Sequence, residues 1–455
     1  MENTTIAAIS TPEAAGALGV VRISGENAIE TAAKIFTPVN GENLADTKGY
    51  RAHFGTVHDG ETRIDEAVCL VFRAPHSYTG ENTAEITCHG GLYVTKAVLR
   101  AAFNAGAVPA QAGEFTKRAF LNGKIDLAES EAVMSLIGAK GRQAATAALN
   151  TLDGRLSGKI AECAGRITAV LASLAAWVDY PYDEIEDTSP GEMLEVFSET
   201  AKDIEEIIER YDTGRVFTEG VDTAIVGRPN VGKSTLMNLL SGCERSIVTD
   251  VAGTTRDVVE QSVRLGSLIL NVSDTAGIHE TDDKVESIGV ERAKTRMERA
   301  ALVLAVFDSS EPLNSDDRAI LEACRDKLSI AVINKTDLPE AADISDIDSY
   351  VTAVVRISAA TGDGEKELEQ TVASLLCAKG FDPENPCLQS ERQRECCVRA
   401  LGCVNEAVDA LKNNVTLDAV TVCVQRAVDA LLELTGEKAA DAVIDEVFSR
   451  FCVGK

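Results

Sequence analysis

The chain has 455 residues, 25% of them charged, and a formal net charge of −28. This length predicts roughly two to four domains, and the acidity argues against broad binding of DNA or RNA over the whole surface while leaving room for a local RNA site. There is no apolar run of about 18 residues and no basic-plus-apolar leader, so we expect a cytoplasmic protein that does not span a membrane. The twelve cysteines are expected to be reduced thiols, and Cys396, Cys397 and Cys403 lack the paired spacing of a zinc site.

The mixture of strand-like and helix-like segments in residues 1–118 predicts an α+β domain. The strand-like segments are 5–9, 19–23, 65–72 and 84–88, and the helix-like segments are 28–36 and 94–103. The next segment has only helical spacing, so the first domain is expected to end at residue 118.

From residue 119 the chain is rich in alanine with apolar residues at helical spacing, and a second helical stretch runs from about residue 390 to 448. Each stretch has an apolar face that it could not bury alone. We therefore predict one helical domain built from two chain segments, 119–216 and 378–455. An α/β domain, residues 217–377, is inserted between them.

The inserted domain begins with a phosphate-binding pattern. Residues 227–234 read G-R-P-N-V-G-K-S, between a strand-like run at 222–226 and a helix-like run at 235–240. The glycines let the backbone bend round a phosphate, and bare N–H groups at the start of the helix point at the anion. Lys233 is expected to reach the β- and γ-phosphates and Ser234 to hold Mg²⁺.

Three later segments, each after a strand-like run, indicate that the nucleotide is GTP. D-T-A-G at 274–277 suits support of Mg²⁺ and approach to the γ-phosphate, and S-A at 358–359 closes the base site. In N-K-T-D at 334–337, the carboxylate of Asp337 can accept hydrogen bonds from the guanine N1–H and N2–H₂ groups. Adenine has no such donor pair, so Asp337 is expected to select GTP over ATP.

Two segments between these motifs are predicted to be switches. G-T-T-R-D at 253–257 contains Thr255, which would complete the Mg²⁺ shell only when a γ-phosphate is bound. Ile278 stands after D-T-A-G, where many GTPases have a glutamine that orients the attacking water. Asp282, Asp283 and Glu286 are candidates for that task, and a solvated acidic loop is the alternative.

The last five residues, Phe451 to Lys455, read F-C-V-G-K. They are not a prenylation signal, because the final residue is lysine. On pattern alone they are either a frayed tail with an incidental thiol or a functional motif.

Together these features resemble the MnmE (TrmE) family of tRNA modification GTPases over essentially the whole chain. The most specific marks are the final C-x-G-K and G-T-T-R-D at 253–257; small departures are Val453, where the family has isoleucine, and His279. The resemblance implies a cytoplasmic homodimer joined through its N-terminal domains. It also implies a heterotetramer with the FAD-dependent MnmG (GidA) protein, acting on tRNA and not on DNA or membranes.

The activity implied by the resemblance is installation of an aminomethyl or carboxymethylaminomethyl group on carbon 5 of the tRNA wobble uridine. A tetrahydrofolate one-carbon unit (5-formyl or methylene), GTP, and glycine or ammonium are consumed. The implied fold is α/β multidomain: an α+β folate-binding domain, a helical domain of two segments and an inserted Ras-like P-loop GTPase domain.

The resemblance also implies that K⁺ replaces an arginine finger when two GTPase domains meet. The implied K⁺ ligands are Asn230, Thr249, Val251 and Thr254, and Glu286 matches the family's catalytic glutamate. A fixed cation beside the β- and γ-phosphates stabilises transition-state charge as a guanidinium would. The GTP-binding residues expected from motifs and resemblance are Asn230, Val231, Gly232, Lys233, Ser234, Thr235, Thr249, Asp250, Val251, Ala252, Gly253, Thr254, Thr255, Asp274, Thr275, Ala276, Gly277, Asn334, Lys335, Asp337, Ser358 and Ala359.

A folate site is implied at Arg22, Glu85, Lys124 and Lys455. Arg and Lys suit a glutamyl carboxylate tail, and a Glu can pair with the amino and ring N–H groups of a pterin. Cys452 matches a residue near that pocket and is a candidate catalytic residue. Without the resemblance, each of these charged residues is an ordinary surface charge.

Two other classes of function remain open at this point. A ribosome-assembly or signalling GTPase would need neither a folate site nor the C-x-G-K motif. A structural helical dimer with a vestigial GTPase would bind GTP without K⁺-stimulated turnover.

Overall fold

The computed structural model describes residues 4–139, 141–179, 189–218, 220–242, 260–266, 268–273, 297, 300–376 and 382–455. The chain divides into two compact units. The first comprises residues 1–137, 149–206 and 388–455, and the second residues 138–148 and 207–387. The four domain boundaries given above stay predictions.

The first unit contains a seven-stranded sheet in the order β3-β4-β5-β6-β2-β1-β7. Its strands are β1 (Ile6–Ile9), β2 (Leu18–Ser24), β3 (Phe36–Pro38), β4 (Arg51–Asp59), β5 (Thr62–Phe72), β6 (Thr83–His89) and β7 (Val108–Pro109). Neighbouring strands are antiparallel except for β1 and β7. All the strand-like and helix-like segments expected in this region are strands and helices.

One face of this sheet is buried beneath two helices, α1 (Ala28–Ile35) and α2 (Leu92–Asn104). Alternate strand residues point to this face, as the period of two requires, and Val21, Ile23 and Ile86 are wholly buried there. These side chains form the core of the N-terminal domain.

The opposite face is partly open. Phe54, Val68, Thr87 and Val20 lie side by side across β4, β5, β6 and β2, because each is the register partner of the next. Phe54 is 56% exposed and Val68 40% exposed, and Leu18, further along β2, is 63% exposed. The open part of the face is mixed, because exposed His89, the register partner of Leu18, and exposed Glu66, two residues from Val68, lie beside these apolar side chains.

Helices from two separate parts of the chain build the rest of the first unit. They are α3 (Glu114–Leu121), α4 (Leu127–Gly138, all but its last residue), α6 (Arg155–Asp179), α11 (Glu391–Lys412), α12 (Leu417–Thr435) and α13 (Asp441–Ser449), while α5 (Arg142–Leu152) and α7 (Pro190–Thr218) contribute residues to both units. Helix α12 packs against α11 and α6. Arg392 on α11 donates to Glu131 on α4 at 2.7 Å and to the carbonyl oxygens of Glu433 and Leu434 on α12. The helical domain is thus built from two segments, as predicted.

The final residues are docked on the N-terminal domain. Phe451 is 6% exposed and its ring packs against that of Phe448. Val453 forms an isolated antiparallel β-bridge with Ala112. The Ser10 hydroxyl donates to the Gly454 carbonyl oxygen at 3.1 Å. The frayed-tail interpretation is therefore wrong, because burial of the phenyl ring and these hydrogen bonds hold the segment in place.

The second unit is organised round a six-stranded sheet in the order β13-β12-β11-β8-β10-β9. Its strands are β8 (Val221–Val226), β9 (Glu260–Leu265), β10 (Leu268–Ser273), β11 (Leu302–Asp308), β12 (Ser329–Asn334) and β13 (Ala353–Arg356), and its helices α8 (Lys233–Gly242), α9 (Ser315–Cys324) and α10 (Glu365–Leu376). All pairings are parallel except that of β9 with β10. Apolar clusters lie on both sides of the sheet, so its central strands are almost wholly apolar.

Within the described parts of the chain, no helix is long and apolar enough to cross a membrane.

Candidate functional sites

The phosphate loop joins the end of β8 to the start of α8. Gly227, Asn230 and Gly232 have φ angles of +156°, +64° and +96°, so the loop turns repeatedly through left-handed backbone. A Cβ atom on Gly232 would lie 2.2 Å from the side-chain nitrogen of Asn334, so the position has room only for glycine. The ammonium of Lys233 donates to the carbonyl oxygens of Gly227 and Arg228 at 2.9 and 2.7 Å.

Asn334, at the end of β12, connects three parts of the nucleotide site. Its side-chain nitrogen donates to the Val231 carbonyl oxygen at 2.8 Å, and its side-chain oxygen accepts from the Ala359 N–H at 2.9 Å. Asn334 is 2% exposed, so its amide is engaged within the protein. It fixes the phosphate loop relative to the loop that closes the base site.

Asp337 is the exposed carboxylate of the predicted base site. The hydroxyl of Ser358 donates to Asp337 at 2.6 Å, and Ser358 itself is 1% exposed. The Thr336 N–H donates to the Ile357 carbonyl oxygen. The Ser358 hydroxyl therefore fixes one carboxylate oxygen of Asp337, while the residue as a whole is exposed to solvent. Parallel strands β12 and β13 end side by side, which brings these motifs together.

Lys335 has a partner that sequence reasoning missed. Its ammonium lies 2.6 Å from a carboxylate oxygen of Asp308, the last residue of β11. Although burial works to raise it, hydrogen bonds from Lys335 and Ser310 hold the pKa of Asp308 below its usual value. The available signal was that Asp308 ends an apolar strand, just as Asn334 does.

Arg228 in the phosphate loop is a second residue that the motifs did not single out. Its guanidinium lies 2.6 Å from Glu311 and 3.3 Å from Asp317. Asp317 also accepts from the Asn314 N–H in the capping box of α9. The variable second position of the phosphate-loop pattern therefore ties the loop to the β11–α9 connection.

Several predicted residues lie outside the described residues, and their placement stays a prediction. They are Thr249, Asp250, Val251, Ala252, Gly253, Thr254, Thr255, Asp274, Thr275, Ala276, Gly277, Ile278, Asp282, Asp283 and Glu286.

In the N-terminal domain, Arg22 and Glu85 are cross-strand partners on β2 and β6. The Arg22 Nε donates to Glu85 at 2.8 Å. The guanidinium carbon of Arg22 lies 5.3 Å from the ring centre of Tyr78 and 5.5 Å from that of Phe115. Burial raises the pKa of Tyr78, whose hydroxyl is 2.9 Å from that of Thr116. The motifs did not single out these two aromatic rings.

The docked tail brings Lys455 to the same part of the domain, because the N–H of Phe115, whose ring lies beside Arg22, donates to the Lys455 carbonyl oxygen at 3.2 Å. Burial, together with the positive charge of Arg22, lowers the pKa of Lys455, while Glu85 and Cys452 act in the opposite direction. Cys452 is exposed, and its carbonyl oxygen accepts from the Gly113 N–H. Three of the four predicted folate-binding residues are thus brought together.

The fourth of these residues, Lys124, is exposed and lies apart from the contacts just described. Its ammonium donates to the carbonyl oxygen of Pro75 at 3.2 Å. Pro75 belongs to the same loop as Tyr78, so Lys124 contacts the loop that carries Tyr78.

Comparison with known proteins settles the family. A family model described as the MnmE helical domain matches residues 127–452, and one described as the GTP-binding protein TrmE N-terminus matches residues 5–124. The tRNA modification GTPase MnmE of Bacillus mycoides is 41% identical over 100% of both chains, and that of Natranaerobius thermophilus is 39% identical over 100% of both. The chain belongs to the MnmE family of tRNA modification GTPases. It is therefore a GTP-hydrolysing enzyme of tRNA modification.

Among solved structures, an Era variant from Aquifex aeolicus bound to GDP·AlF4⁻ is 30% identical. The match covers 40% of this chain and 66% of that one, with a TM-score of 0.26. Within this MnmE-family chain, the order of strands β8 to β13, with β9 antiparallel, together with the loop between β8 and α8, is the Ras-like P-loop arrangement.

Proposed function

We propose that this enzyme couples GTP hydrolysis in residues 217–377 to folate-dependent modification of the tRNA wobble uridine. It acts in the cytoplasm with an FAD-dependent partner of the MnmG (GidA) type, as a heterotetramer. The product is 5-aminomethyl or 5-carboxymethylaminomethyl uridine. The observation that carries the folate part of the proposal is that Phe115 links the two: its ring lies beside the Arg22 guanidinium and its N–H donates to the Lys455 carbonyl oxygen.

The geometry at Arg22 suits a reduced folate. A carboxylate beside a guanidinium offers acceptors to the amino and ring N–H groups of a pterin, and the rings of Tyr78 and Phe115 provide apolar surface for a flat heterocycle. Lys455 supplies a second cation for a glutamyl carboxylate. When bound, a tetrahydrofolate would supply the one-carbon unit, while the residues of this chain bind and orient it.

Divalent and monovalent cations are assigned to the phosphate loop. The hydroxyl of Ser234 is exposed in the first turn of α8, where it can meet Mg²⁺ held by nucleotide phosphates. The amide of Asn230 is exposed at a left-handed position of the loop and offers an oxygen to K⁺. Thr255 would complete the Mg²⁺ shell, and Thr249, Val251 and Thr254 the K⁺ shell. Glu286 orients the attacking water.

The open face of the N-terminal sheet supports a homodimer. Leu18, Phe54 and Val68 are exposed apolar side chains on one sheet face. Isolated apolar residues are ordinary on a surface, but Phe54 and Val68 are direct cross-strand partners and together form an exposed apolar patch, which favours an interface. A second copy of the same face would cover it with matching chemistry.

Two measurements test the proposal. Nucleoside mass spectrometry of tRNA from cells lacking the protein should show loss of the modified wobble uridine, and wild-type protein should restore it. An unchanged nucleoside profile would overturn the assigned product.

The second measurement is calorimetric titration of the purified protein with 5-formyltetrahydrofolate. Arg22→Gln should weaken binding by at least about tenfold, the loss expected for a charge-assisted contact. Arg63→Gln is a matched control, because Arg63 forms a salt bridge with Glu66 at 2.5 Å on the same sheet but is 62% exposed. Equal affinities for the two variants would refute the folate site while leaving the tRNA product untouched.

A further inference from the structure

The last residue of β11 and the connection that follows it each place a carboxylate beside a cation of the nucleotide site. Asp308 lies 2.6 Å from Lys335 of the base-reading segment, and Glu311 lies 2.6 Å from Arg228 of the phosphate loop. Asp308 is only 4% exposed, which is unusual for a carboxylate. Lys335 is half-buried, so the pair places a buried carboxylate against a lysine whose side chain is largely held within the protein.

The neighbouring residue holds the backbone of the same lysine. The Ser309 hydroxyl donates to the Lys335 carbonyl oxygen at 3.0 Å, and the Ser309 N–H donates to the Asn334 carbonyl oxygen at 2.9 Å. Lys335 has a φ of +64°, a conformation that costs a non-glycine residue free energy. Two consecutive residues therefore hold Lys335: Asp308 binds its ammonium, and Ser309 binds its backbone.

We propose that Asp308 is a positioning residue for guanine nucleotides: it holds the Lys335 ammonium so that the aliphatic stem forms a preformed wall of the base site. The stem of a lysine can cover apolar surface while its charged end stays with polar partners. A free lysine loses much rotamer freedom when it is immobilised, and an ion pair formed beforehand removes that loss from the binding step.

The ion pair also fixes the position of the Lys335 ammonium. With its ammonium held at Asp308, Lys335 is directed away from the phosphates, which leaves Lys233 as the phosphate-loop lysine. The hydrogen bonds from Lys335 and Ser310 keep the pKa of Asp308 low, so the carboxylate is charged at neutral pH. In this arrangement, Asp337 accepts hydrogen bonds from the polar edge of the base, and the aliphatic stem of Lys335 covers the face of the base. This inference rests on the assignment of residues 334–337 to the guanine site.

The test measures GDP affinity of the full-length protein by displacement of a fluorescent GDP analogue, and kcat at saturating GTP. Asp308→Asn keeps the shape and removes the charge, and should raise the Kd for GDP about tenfold, the size of one lost charge-assisted hydrogen bond. The factor should be the same for IDP, because Asp308 does not touch the 2-amino edge. The kcat at saturating GTP should stay within about twofold of wild type.

Asp343→Asn is a matched control. Asp343 and Asp308 each accept from the N–H and the hydroxyl of a serine two residues later, Ser345 and Ser310. Lys335 pairs with Asp308 and not with Asp343. The control variant should therefore bind GDP as wild type does.

A double-mutant cycle with Lys335→Met separates positioning from folding. The methionine keeps an unbranched stem without the ammonium, so Asp308→Asn should weaken GDP binding no further in that background. Equal weakening in both backgrounds, or wild-type affinity for Asp308→Asn, would overturn the proposal. If Asp308→Asn alone fails to fold, GDP affinity is compared between Lys335→Met and the double variant, which leaves no buried charge unpaired. Equal affinities support the proposal, and weaker binding by the double variant overturns it. Unaltered guanine selectivity in Asp337→Asn would instead refute the base-site assignment itself.

Discussion

Replacing Gly454 by alanine is expected to release residues 452–455 from the N-terminal domain. Gly454 has a φ of +95°, and a Cβ atom added there would lie 2.1 Å from the carbonyl oxygen of Ile9. That oxygen belongs to the backbone of β1 and cannot rotate away. The tail must therefore move.

The magnitude follows from what holds the segment. Three hydrogen bonds hold the segment and contribute about 0.5–1.5 kcal/mol each: Ser10 to Gly454 at 3.1 Å, the Phe115 N–H to Lys455 at 3.2 Å and the Gly113 N–H to Cys452 at 3.4 Å. Left-handed backbone at alanine costs about 1–3 kcal/mol, and the contact with Ile9 adds to that. The cost matches or exceeds the docking free energy, so most molecules should carry an undocked Lys455. The buried ring of Phe451 lies before this segment and should keep the preceding helix in place.

The assay is calorimetric titration with 5-formyltetrahydrofolate, beside thermal unfolding and GTP hydrolysis. We expect folate affinity to fall at least about tenfold, with GTP turnover unchanged. Gly60→Ala is the control, because Gly60 has a φ of +59° but nothing within 4 Å of an added Cβ atom. Wild-type folate affinity in Gly454→Ala would refute the argument that tail docking builds the site.

Three further predictions concern the base, the monovalent cation and acid stability. Asp337→Asn should weaken GTP binding at least about tenfold and strengthen binding of the xanthine nucleotide, since the amide can donate to the additional ring carbonyl; strict GTP preference measured by competition would contradict this role. Asn230→Ala should abolish stimulation of GTP hydrolysis by K⁺ with GDP affinity nearly unchanged, whereas equal wild-type rates in KCl and NaCl would remove the cation mechanism. Although burial works to raise it, hydrogen bonds from Arg166 and Lys159 hold the pKa of Asp203 below its usual value. As pH falls, Asp203 is therefore protonated in the unfolded chain before it is protonated in the folded one. Its contribution to the free energy of unfolding is present above about pH 4 and is lost as pH falls through the folded-state pKa. The difference in urea midpoint between wild type and Asp203→Asn should shrink below that pH, and a constant difference would show that the carboxylate charge is not responsible.

Much of the nucleotide site could be predicted because its chemistry is local in sequence. The phosphate loop needs left-handed backbone at fixed positions, and the glycines at 227 and 232 reveal this directly. Asp337 follows a run of apolar residues at a strand end, where a polar side chain reaches the ligand edge of a parallel sheet. The type of nucleotide could therefore be inferred without coordinates.

The contacts that orient these residues could not be predicted. Asn334 reaches Val231 and Ala359, and Asp308 reaches Lys335, only because β11, β12 and β13 lie side by side. No pattern within any one segment encodes which strand becomes its neighbour. The same reason explains why Arg228, at a variable position of the loop pattern, was missed.

The residues of the proposed folate site show most clearly which properties come from sequence and which from tertiary structure. The sequence determined which side chains are available: a cation at Arg22, a carboxylate at Glu85 and an ammonium at Lys455, with family resemblance alone to connect them. On pattern alone, the sequence favoured a frayed tail for the last five residues. Tertiary structure decided the matter, because antiparallel pairing sets Arg22 opposite Glu85 and burial of Phe451 brings residues 452–455 onto β1. A contact between residues more than four hundred positions apart depends on the closure of the whole unit, which composition and local spacing do not specify.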